Sequence, residues 1–268
     1  MIDLHAHLLP GVDDGAPDPA TSLAMARIAV ADGIQIMACT PHIYPGLYDN
    51  QGAAIRDAVA ALQARLDEAG IALRLTHGAD THIATDLVAG LRSGRVPTLN
   101  DSRYFLLEPP HHVAPPRLEE TVFNLLTAGY VPVITHPERL SWIADRYQAI
   151  VELARKGAWL QVTAGSLTGR FGAAAQHWAE RLLDEGWVHI LATDAHSVEG
   201  RPPLLAEGRR AAERWVGATE AGHLVTTRPR GILENSAPEL LTAALGLAAT
   251  ATPAPVGWSS LAKWFARR

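Results

Sequence analysis

The alternation of short apolar runs with amphipathic segments is the feature that most constrains the fold of this chain. Several of the apolar runs are rich in Ile and Val, as buried parallel strands usually are. The predicted strands are 2–4, 34–39, 73–76, 104–107, 131–135, 159–162 and 189–192, and the predicted helices are 20–31, 52–69, 119–128, 147–155, 173–184 and 203–216. Strands that alternate with helices predict an α/β fold with a parallel sheet, either open or closed into a barrel.

The chain length fits one large domain followed by a short extension. The sequence has 268 residues, and α/β barrels reach about 250 residues as a single unit. We expect the domain to cover residues 1–242 and a linker and tail to cover 243–268, because 243–255 is rich in Ala, Thr and Pro. Residues 258–268 read WSSLAKWFARR. This pattern favours a docked C-terminal helix, with contact to a membrane surface or a partner as the alternative.

Composition excludes several classes of protein. A net charge of −5 argues against a nucleic-acid binder, which needs a basic face. The single cysteine excludes an intrachain disulfide and a Cys-rich zinc site, and it fits a cytoplasmic location. No signal-like start and no spanning segment is visible. Cys39 is followed six positions later by Pro45 rather than Arg, which excludes a cysteine-based phosphatase loop, and the P-loop and G-x-S-x-G motifs do not occur.

Side chains that can bind metals stand at the ends of nearly all predicted strands. In parallel α/β folds these carboxyl ends form one face, and functional sites lie there. His5 and His7 are two residues apart in an extended segment, so they point the same way. The nine candidate ligands are His5, His7, Asp14, His42, Asp80, Glu108, His136, Asp194 and His196. Nitrogen and oxygen donors without a thiolate fit two or three ions of Mn, Fe or Zn with bridging carboxylates.

Two arginines follow candidate ligands on loops that leave this face. Arg139 stands three residues after His136, and Arg201 stands seven residues after Asp194. A single loop arginine is usually just solvated. Two of them beside a metal cluster suggest a phosphate clamp, because a guanidinium matches oxyanion geometry bidentately.

Four further histidines favour other interpretations. His111 and His112 lie in the Pro-rich segment EPPHHVAPP and are expected to be solvated loop residues. His82 follows Asp80 by two residues and is an alternative ligand by the same alternation, although a structural role is favoured. His77 is expected within or beside its strand.

Six segments of the sequence resemble a known family. They are DLHAHLLPGVDDGA at the N-terminus, TPHIYPGLYDN (40–50), LLEPP (106–110), ITHPERL (134–140), LQVTAGSLTG (160–169) and TDAHSVEGRPP (193–203). The first resembles the opening motif of the PHP (polymerase and histidinol phosphatase) phosphoesterases. The whole set is similar to the bacterial manganese-dependent tyrosine phosphatases of capsule and exopolysaccharide clusters, up to about residue 240.

The resemblance implies a distorted (βα)7 barrel with a three-metal cluster at the carboxyl ends of its strands. Eight of the nine candidates match ligand positions of the family, and Arg139 and Arg201 match its phosphate-binding arginines. Asp80 departs from the family pattern, which usually has Glu at this position. The shorter side chain is expected to loosen the carboxylate bridge between ions or to place the ion deeper. Ile43 also departs, from a His that often follows the TPH motif.

The function implied by the resemblance is metal-dependent hydrolysis of phosphotyrosine on a protein. The expected substrate is a cognate bacterial tyrosine kinase that controls polysaccharide export, and the expected cofactor is Mn, with Fe or Zn as options. Arg139 and Arg201 would bind the phosphate, while His42 or His196 would assist the leaving group. An oligomer is compatible with this function. The alternatives are a small-molecule phosphatase such as histidinol phosphatase, a nucleic-acid phosphodiesterase, which the net charge disfavours, and a non-enzymatic metal-dependent scaffold.

Overall fold

The computed structural model describes the backbone of residues 1–251 and the side chains of residues 1–248. Ten strands lie within this range: β1 Ile2–Ala6, β2 Ile36–Cys39, β3 His42–Tyr44, β4 Tyr48–Asp49, β5 Arg74–His77, β6 Asp80–His82, β7 Tyr104–Glu108, β8 Val131–Thr135, β9 Trp159–Thr163 and β10 Ile190–Ala192. The α-helices of the same range are α1 Pro19–Ala31, α2 Gly52–Glu68, α3 Leu87–Arg92, α4 Leu118–Thr127, α5 Ile143–Arg155, α6 Ala164–Leu167, α7 Gly172–Asp184, α8 Ala206–Gly222, α9 Arg228–Leu233 and α10 Leu245–Ala251.

The strands form two sheets that are almost entirely parallel. One sheet has the order β1-β2-β5, and the other has the order β10-β9-β8-β7-β6-β3-β4. Only the β3–β4 pair is antiparallel. The parallel α/β architecture that the alternation predicts is therefore confirmed, while closure into a barrel stays a prediction.

The described residues form three more strands than the seven expected, because two long strands are interrupted and the short β4 pairs with β3. Only residues 40 and 41 separate β2 from β3, and only residues 78 and 79 separate β5 from β6. Pro41 has no N–H to donate to a sheet ladder. A Cβ atom on Gly78 would lie 2.8 Å from a methyl group of Leu99, so any other residue here would displace the Leu99 side chain. Each pair carries the chain from the small sheet into the large one.

The first strand lies beside the segment that follows the last strand. The Asp194 N–H donates to the His5 carbonyl at 2.8 Å, and the His7 N–H donates to the Ala195 carbonyl at 2.8 Å. These bonds bring together the first and the last of the six family-like segments, although nearly the whole domain separates them along the chain.

The core has two parts on opposite faces of the sheet. All residues of β7, β8 and β9 are buried, as expected for strands that are covered on both sides. Within β7, Tyr104 and Leu106 belong to one apolar cluster, and Phe105 and Leu107 belong to the other. Helix α2 adds its predicted apolar stripe to the second cluster.

The C-terminal extension differs in part from the expected linker. Residues 245–251 form helix α10, Ala244 is buried, and the Gly246 N–H donates to the Gly186 carbonyl at 2.9 Å. This contact is possible because Gly186 has a positive φ of 75° and no Cβ, which would lie 2.4 Å from the Gly246 nitrogen. The predicted amphipathic tail at 258–268 lies outside the described residues. Among the described helices, none is long and apolar enough to cross a bilayer.

Candidate metal centre

The structure brings all nine candidate ligands to one region, where their donor atoms form overlapping groups. In each group, one donor atom per residue lies within 4.8 Å of every other. The groups are His7, Asp14, His42 and His196; His5, His7 and Asp80; His5, His136 and Asp194; His42, Asp80 and Glu108; and Glu108, His111 and His136. Residues from both ends of the chain share these groups, so the long-range pairing of β1 builds the centre.

The innermost donors come from the two ends of the chain. The Nε2 atoms of His5 and His7 are 3.2 Å apart, and they lie 3.3 Å and 3.4 Å from Asp194 Oδ1. Two ligands that are each 2.1 Å from a tetrahedral ion lie about 3.4 Å apart. The three atoms are therefore spaced as the ligands of a common ion.

Hydrogen bonds fix the tautomers of the two innermost histidines. The Nδ1 atom of His5 is 2.9 Å from the side-chain amide oxygen (Oε1) of Gln161, and the Nδ1 atom of His7 is 2.7 Å from a carboxylate oxygen of Asp13. Each acceptor requires the ring to carry its proton on Nδ1. Both Nε2 lone pairs then face the centre, an arrangement that a cation between them stabilises.

Two buried carboxylates form the next part of the centre. The Nδ1 atom of His42 lies 3.3 Å from Glu108 Oε2 and 3.6 Å from Asp80 Oδ2, and His136 Nε2 lies 3.6 Å from Glu108 Oε1. Both carboxylates are buried, and among the described residues Asp80 Oδ2 has no hydrogen bond of good geometry, while Glu108 Oε2 is contacted by histidine nitrogens, with His82 Nε2 at 2.9 Å. Since an uncompensated buried carboxylate is costly, this donor set fits divalent metal ions.

Asp14, His42 and His196 form the solvent-facing edge. Asp14 Oδ1 is 3.4 Å from the Nε2 atoms of both histidines. His196 donates its Nδ1 proton to the Asp194 carbonyl at 3.0 Å, so its Nε2 lone pair points to this edge. The Asp14 side chain is 49% exposed, which gives solvent and substrates access to this end of the centre.

The electrostatics of the centre keep its carboxylates ionised. Burial alone raises the pKa of Asp194, but its positive neighbours, led by His5, hold that pKa well below its usual range. Burial alone lowers the pKa of His5, yet Asp80 and Asp194 outweigh it and raise that pKa to about 10. The carboxylates thus favour a positive charge at His5 Nε2, and a metal ion at this position would displace the proton. Burial and the Arg139 charge lower the pKa of His136 to about 4. Ionised carboxylates and a neutral imidazole are the forms that bind metals.

Both predicted clamp arginines lie against the centre. Arg139 and Arg201 donate to Asp194 Oδ2, while Asp194 Oδ1 faces His5 as described above. The guanidinium carbons of the two arginines also lie 4.3 Å and 5.7 Å from the centre of the Phe171 ring. One carboxylate therefore joins the metal donors to the two fixed cations, and an aromatic ring supports both cations.

The comparison with known proteins identifies the family. A family model described as capsular polysaccharide synthesis, CpsB/CapC, matches residues 1–234. The chain belongs to the CpsB/CapC family. The tyrosine-protein phosphatase YwqE of Bacillus subtilis is 37% identical over 235 residues, which cover 88% of this chain and 92% of YwqE. The tyrosine-protein phosphatase CpsB of Streptococcus pneumoniae is 27% identical and covers 87% of this chain and 98% of CpsB.

Solved structures agree with this CpsB/CapC membership. A crystal structure from work on YwqE and CpsB, described as unique metal-dependent tyrosine phosphatases, matches with a TM-score of 0.84 at 37% identity. It covers 88% of this chain and 96% of the solved chain. Histidinol phosphate phosphatase from Lactococcus lactis, solved with zinc, matches with a TM-score of 0.52 at 15% identity and covers 82% of this chain and 93% of its own. At that identity the likeness shows the fold alone.

Two histidines lie closer to the centre of this CpsB/CapC protein than the sequence suggests. His82 Nε2 is 2.9 Å from Glu108 Oε2. The prediction that His111 is a solvated loop residue is wrong, because its Nε2 lies 3.5 Å from Glu108 Oε1. The loop folds inward because Ser141 donates its N–H and its hydroxyl to the His111 carbonyl, each at 3.0 Å. His112 is exposed as expected.

Sequence reasoning also missed three residues that support the site. Asp13 and Gln161 orient His7 and His5, and Phe171 lies beside both arginines. A signal existed for Gln161, because a polar residue inside an apolar strand needs a buried partner. Asp13 stands next to a predicted ligand in the sequence, whereas nothing in the local sequence indicates the position of Phe171.

Proposed function

We propose that this CpsB/CapC protein is a metal-dependent phosphatase that hydrolyses phosphotyrosine on proteins. The single observation that carries the proposal is the junction at Asp194, where metal donors and two guanidinium groups meet on one carboxylate. Metal donors alone suit many hydrolases, and a structural ion does not need adjacent arginines. A phosphate ester needs both, because its oxygens carry negative charge toward the metals and toward the cations.

The nine predicted residues are proposed as the ligands of two or three ions, with Mn as the native metal and Fe or Zn as alternatives. Asp80 and Glu108 are the bridging carboxylates in this proposal, since each lies close to two or more histidines. His82 and His111 join as candidate ligands through Glu108. When bound, such ions supply Lewis acidity and an activated water for attack on phosphorus.

The side chains of the protein then have separate tasks. Arg139 and Arg201 donate N–H bonds to the phosphate oxygens and neutralise charge that develops in the transition state. His42 and His196, at the solvent-facing edge, would assist the departing tyrosyl oxygen by holding an ion beside it. The phenolate leaves readily because the side-chain pKa of tyrosine is about 10. Cys39 is fully buried and burial raises the pKa of its thiol, so we expect no phosphoenzyme on this cysteine.

A protein substrate is favoured by exposed apolar side chains near candidate ligands in the sequence. The exposed side chains of Tyr44, Leu47, Val113 and Val198 lie on the segments that carry or follow the candidate ligands. Tyr44 stacks on His82 with ring centroids 3.8 Å apart. Exposed apolar groups around a site are typical of surfaces that contact other proteins. We propose a bacterial tyrosine kinase of the polysaccharide export system as the substrate.

The finer features of the fold are part of the same proposal. We infer a distorted (βα)7 barrel over residues 1–242, and the hydrogen bonds between β1 and the segment after β10 support its closure. A cytoplasmic location, an oligomeric assembly and a contact of the residue 258–268 tail with a membrane surface or partner remain predictions from the sequence.

The test compares two substrates on enzyme that has been stripped of metal and reloaded separately with Mn, Fe or Zn. We expect the Mn enzyme to hydrolyse a phosphotyrosyl peptide with a higher kcat/KM than histidinol phosphate, and the stripped enzyme to hydrolyse neither. Preference for histidinol phosphate would move the assignment to a small-molecule phosphatase. Full activity of the stripped enzyme would reject the metal-dependent mechanism.

A further inference from the structure

A cavity of about 290 Å³ opens beside the metal centre, between the first turns of α5 and α7. Its walls include Phe171 and Trp178 on the α7 side and the buried Ile143 on the α5 side. The exposed residues Ala144 and Ala174 line its opening. The cavity therefore has an apolar side formed by Phe171, Trp178 and Ile143 and a polar side that includes Glu138 and Arg139, and it is reachable from solvent.

The cavity adjoins the metal centre, because two residues that line it also contact candidate ligands. Arg139 and His111 both line it. Arg139 donates to Asp194, and His111 Nε2 lies 3.5 Å from Glu108 Oε1. A phosphate held by Arg139 would consequently lie next to this cavity.

The distance between the clamp and the aromatic wall suits an aryl phosphate. The Arg139 guanidinium carbon lies 4.3 Å from the centre of the Phe171 ring. In phosphotyrosine a single oxygen joins the ring to phosphorus, so the ring must lie directly beside the bound phosphate. Aromatic side chains bind such a ring by offset or edge-to-face packing and by excluding water from it.

We propose that this cavity binds the aromatic ring of the phosphotyrosyl side chain and that Phe171 and Trp178 determine the preference for aryl phosphates. The inference rests on the proposed function. It goes further by naming the residues that distinguish a tyrosyl from an aliphatic phosphate. Phe171 also supports the guanidinium groups of Arg139 and Arg201, so it is both a wall of the cavity and a positioning residue.

The test fills the cavity at its mouth. Ala174→Phe places a ring in the opening without replacing a metal donor or a clamp arginine. Ala173→Phe is the matched control, because Ala173 is the preceding exposed residue of α7 and does not line the cavity. Ala144→Phe fills the opening from α5 and serves as a second, independent variant. Circular dichroism and thermal melting verify that each variant is folded.

Three substrates report on the Mn-loaded enzymes: p-nitrophenyl phosphate, a phosphotyrosyl peptide and glycerol phosphate. Ala174→Phe is expected to raise KM for both aromatic substrates by about tenfold, the cost of losing most of the burial of one ring. It is expected to leave kcat/KM for glycerol phosphate unchanged. Isothermal titration calorimetry gives a second readout, since binding of benzylphosphonate should weaken while binding of methylphosphonate does not.

Other results would overturn the inference in distinct ways. An effect on the peptide alone would assign the cavity to a side chain next to the phosphotyrosine. Equal losses on all three substrates, or equal losses in Ala173→Phe, would show a general disturbance of the site. Failure of the proposed function is read separately, from a wild-type enzyme that prefers histidinol phosphate to the phosphotyrosyl peptide.

Discussion

Replacement of Arg139 by alanine is expected to separate catalysis from metal binding. A hydrogen bond to a charged group contributes about 1.5–3 kcal/mol, so kcat/KM for a phosphotyrosyl peptide should fall by about 10- to 100-fold. Metal content should not change, because Arg201 donates to the same Asp194 oxygen. The other oxygen, Oδ1, still faces His5 at 3.3 Å.

The assay measures steady-state kinetics and metal content by plasma mass spectrometry on the same Mn-loaded samples. Arg139→Lys keeps the positive charge but loses the planar guanidinium that can donate two parallel hydrogen bonds, so it should recover only part of the rate. Arg117→Ala removes an exposed arginine whose partner is Glu120, which is not a candidate ligand, so it should match wild type in rate and metal content. An unchanged rate in Arg139→Ala, or metal loss in proportion to rate, would refute the reasoning.

The double variant tests the shared contact. Since Arg139 and Arg201 donate to one oxygen, the loss of both leaves Asp194 Oδ2 without either partner. The two effects on kcat/KM should therefore deviate from additivity by about 0.5–3 kcal/mol, as is usual for residues of one network. Strict additivity would indicate that the two arginines act independently.

Three further predictions concern stability. Metal removal should lower the melting temperature, because metal at 1,000-fold above its Kd adds about 4 kcal/mol to the free energy of unfolding. Equal melting curves for stripped and loaded protein would contradict the proposed metal centre. His189 accepts the Leu160 N–H at 3.1 Å through Nδ1, and burial with a nearby arginine lowers its pKa to about 3. As the pH falls, the imidazole of His189 is protonated in the unfolded state before it is protonated in the folded state. The free energy of unfolding should therefore decline below pH 6.5 by up to about 1.4 kcal/mol per pH unit. Urea titrations should show a shallower decline for His189→Gln, and an identical decline would disprove the assignment. Gly208→Ala should lower the free energy of unfolding by about 1–3 kcal/mol, because its Cβ would lie 2.5 Å from that of Ala164. Gly222 has a helical φ and no described side chain or distant backbone within 4 Å, so Gly222→Ala should raise the free energy of unfolding by about 0.5–1 kcal/mol. A change of the same sign in both variants would contradict the packing.

The sequence predicted the architecture and the location of the site for one physical reason. Parallel strands align their carboxyl ends, so polar residues at strand ends must meet even when they are distant in the chain. His5 and Asp194 satisfy this rule, and the structure places His5 Nε2 3.3 Å from Asp194 Oδ1. The interruption of two long strands was not predictable from apolar periodicity, because it depends on Pro41 and on the close packing at Gly78.

The contacts that were not predicted depend on tertiary packing. His111 lies in a Pro-rich loop that reads as solvated, and its position follows from hydrogen bonds donated by Ser141. Phe171 precedes α7, and its place beside Arg139 and Arg201 depends on how that helix packs. Only a three-dimensional arrangement could place these residues beside the centre, since their local sequences carry no periodic signal.

Anomalous X-ray scattering from crystals of the Mn-loaded protein tests the central claim most directly. Our account predicts two or three manganese peaks enclosed by the grouped donors, with His5, His7 and Asp194 binding one of them, at distances near 2.1 Å. Peaks bound mainly by residues outside the nine candidates would contradict it. The absence of any peak in this region, in crystals grown from fully active protein, would contradict it as well.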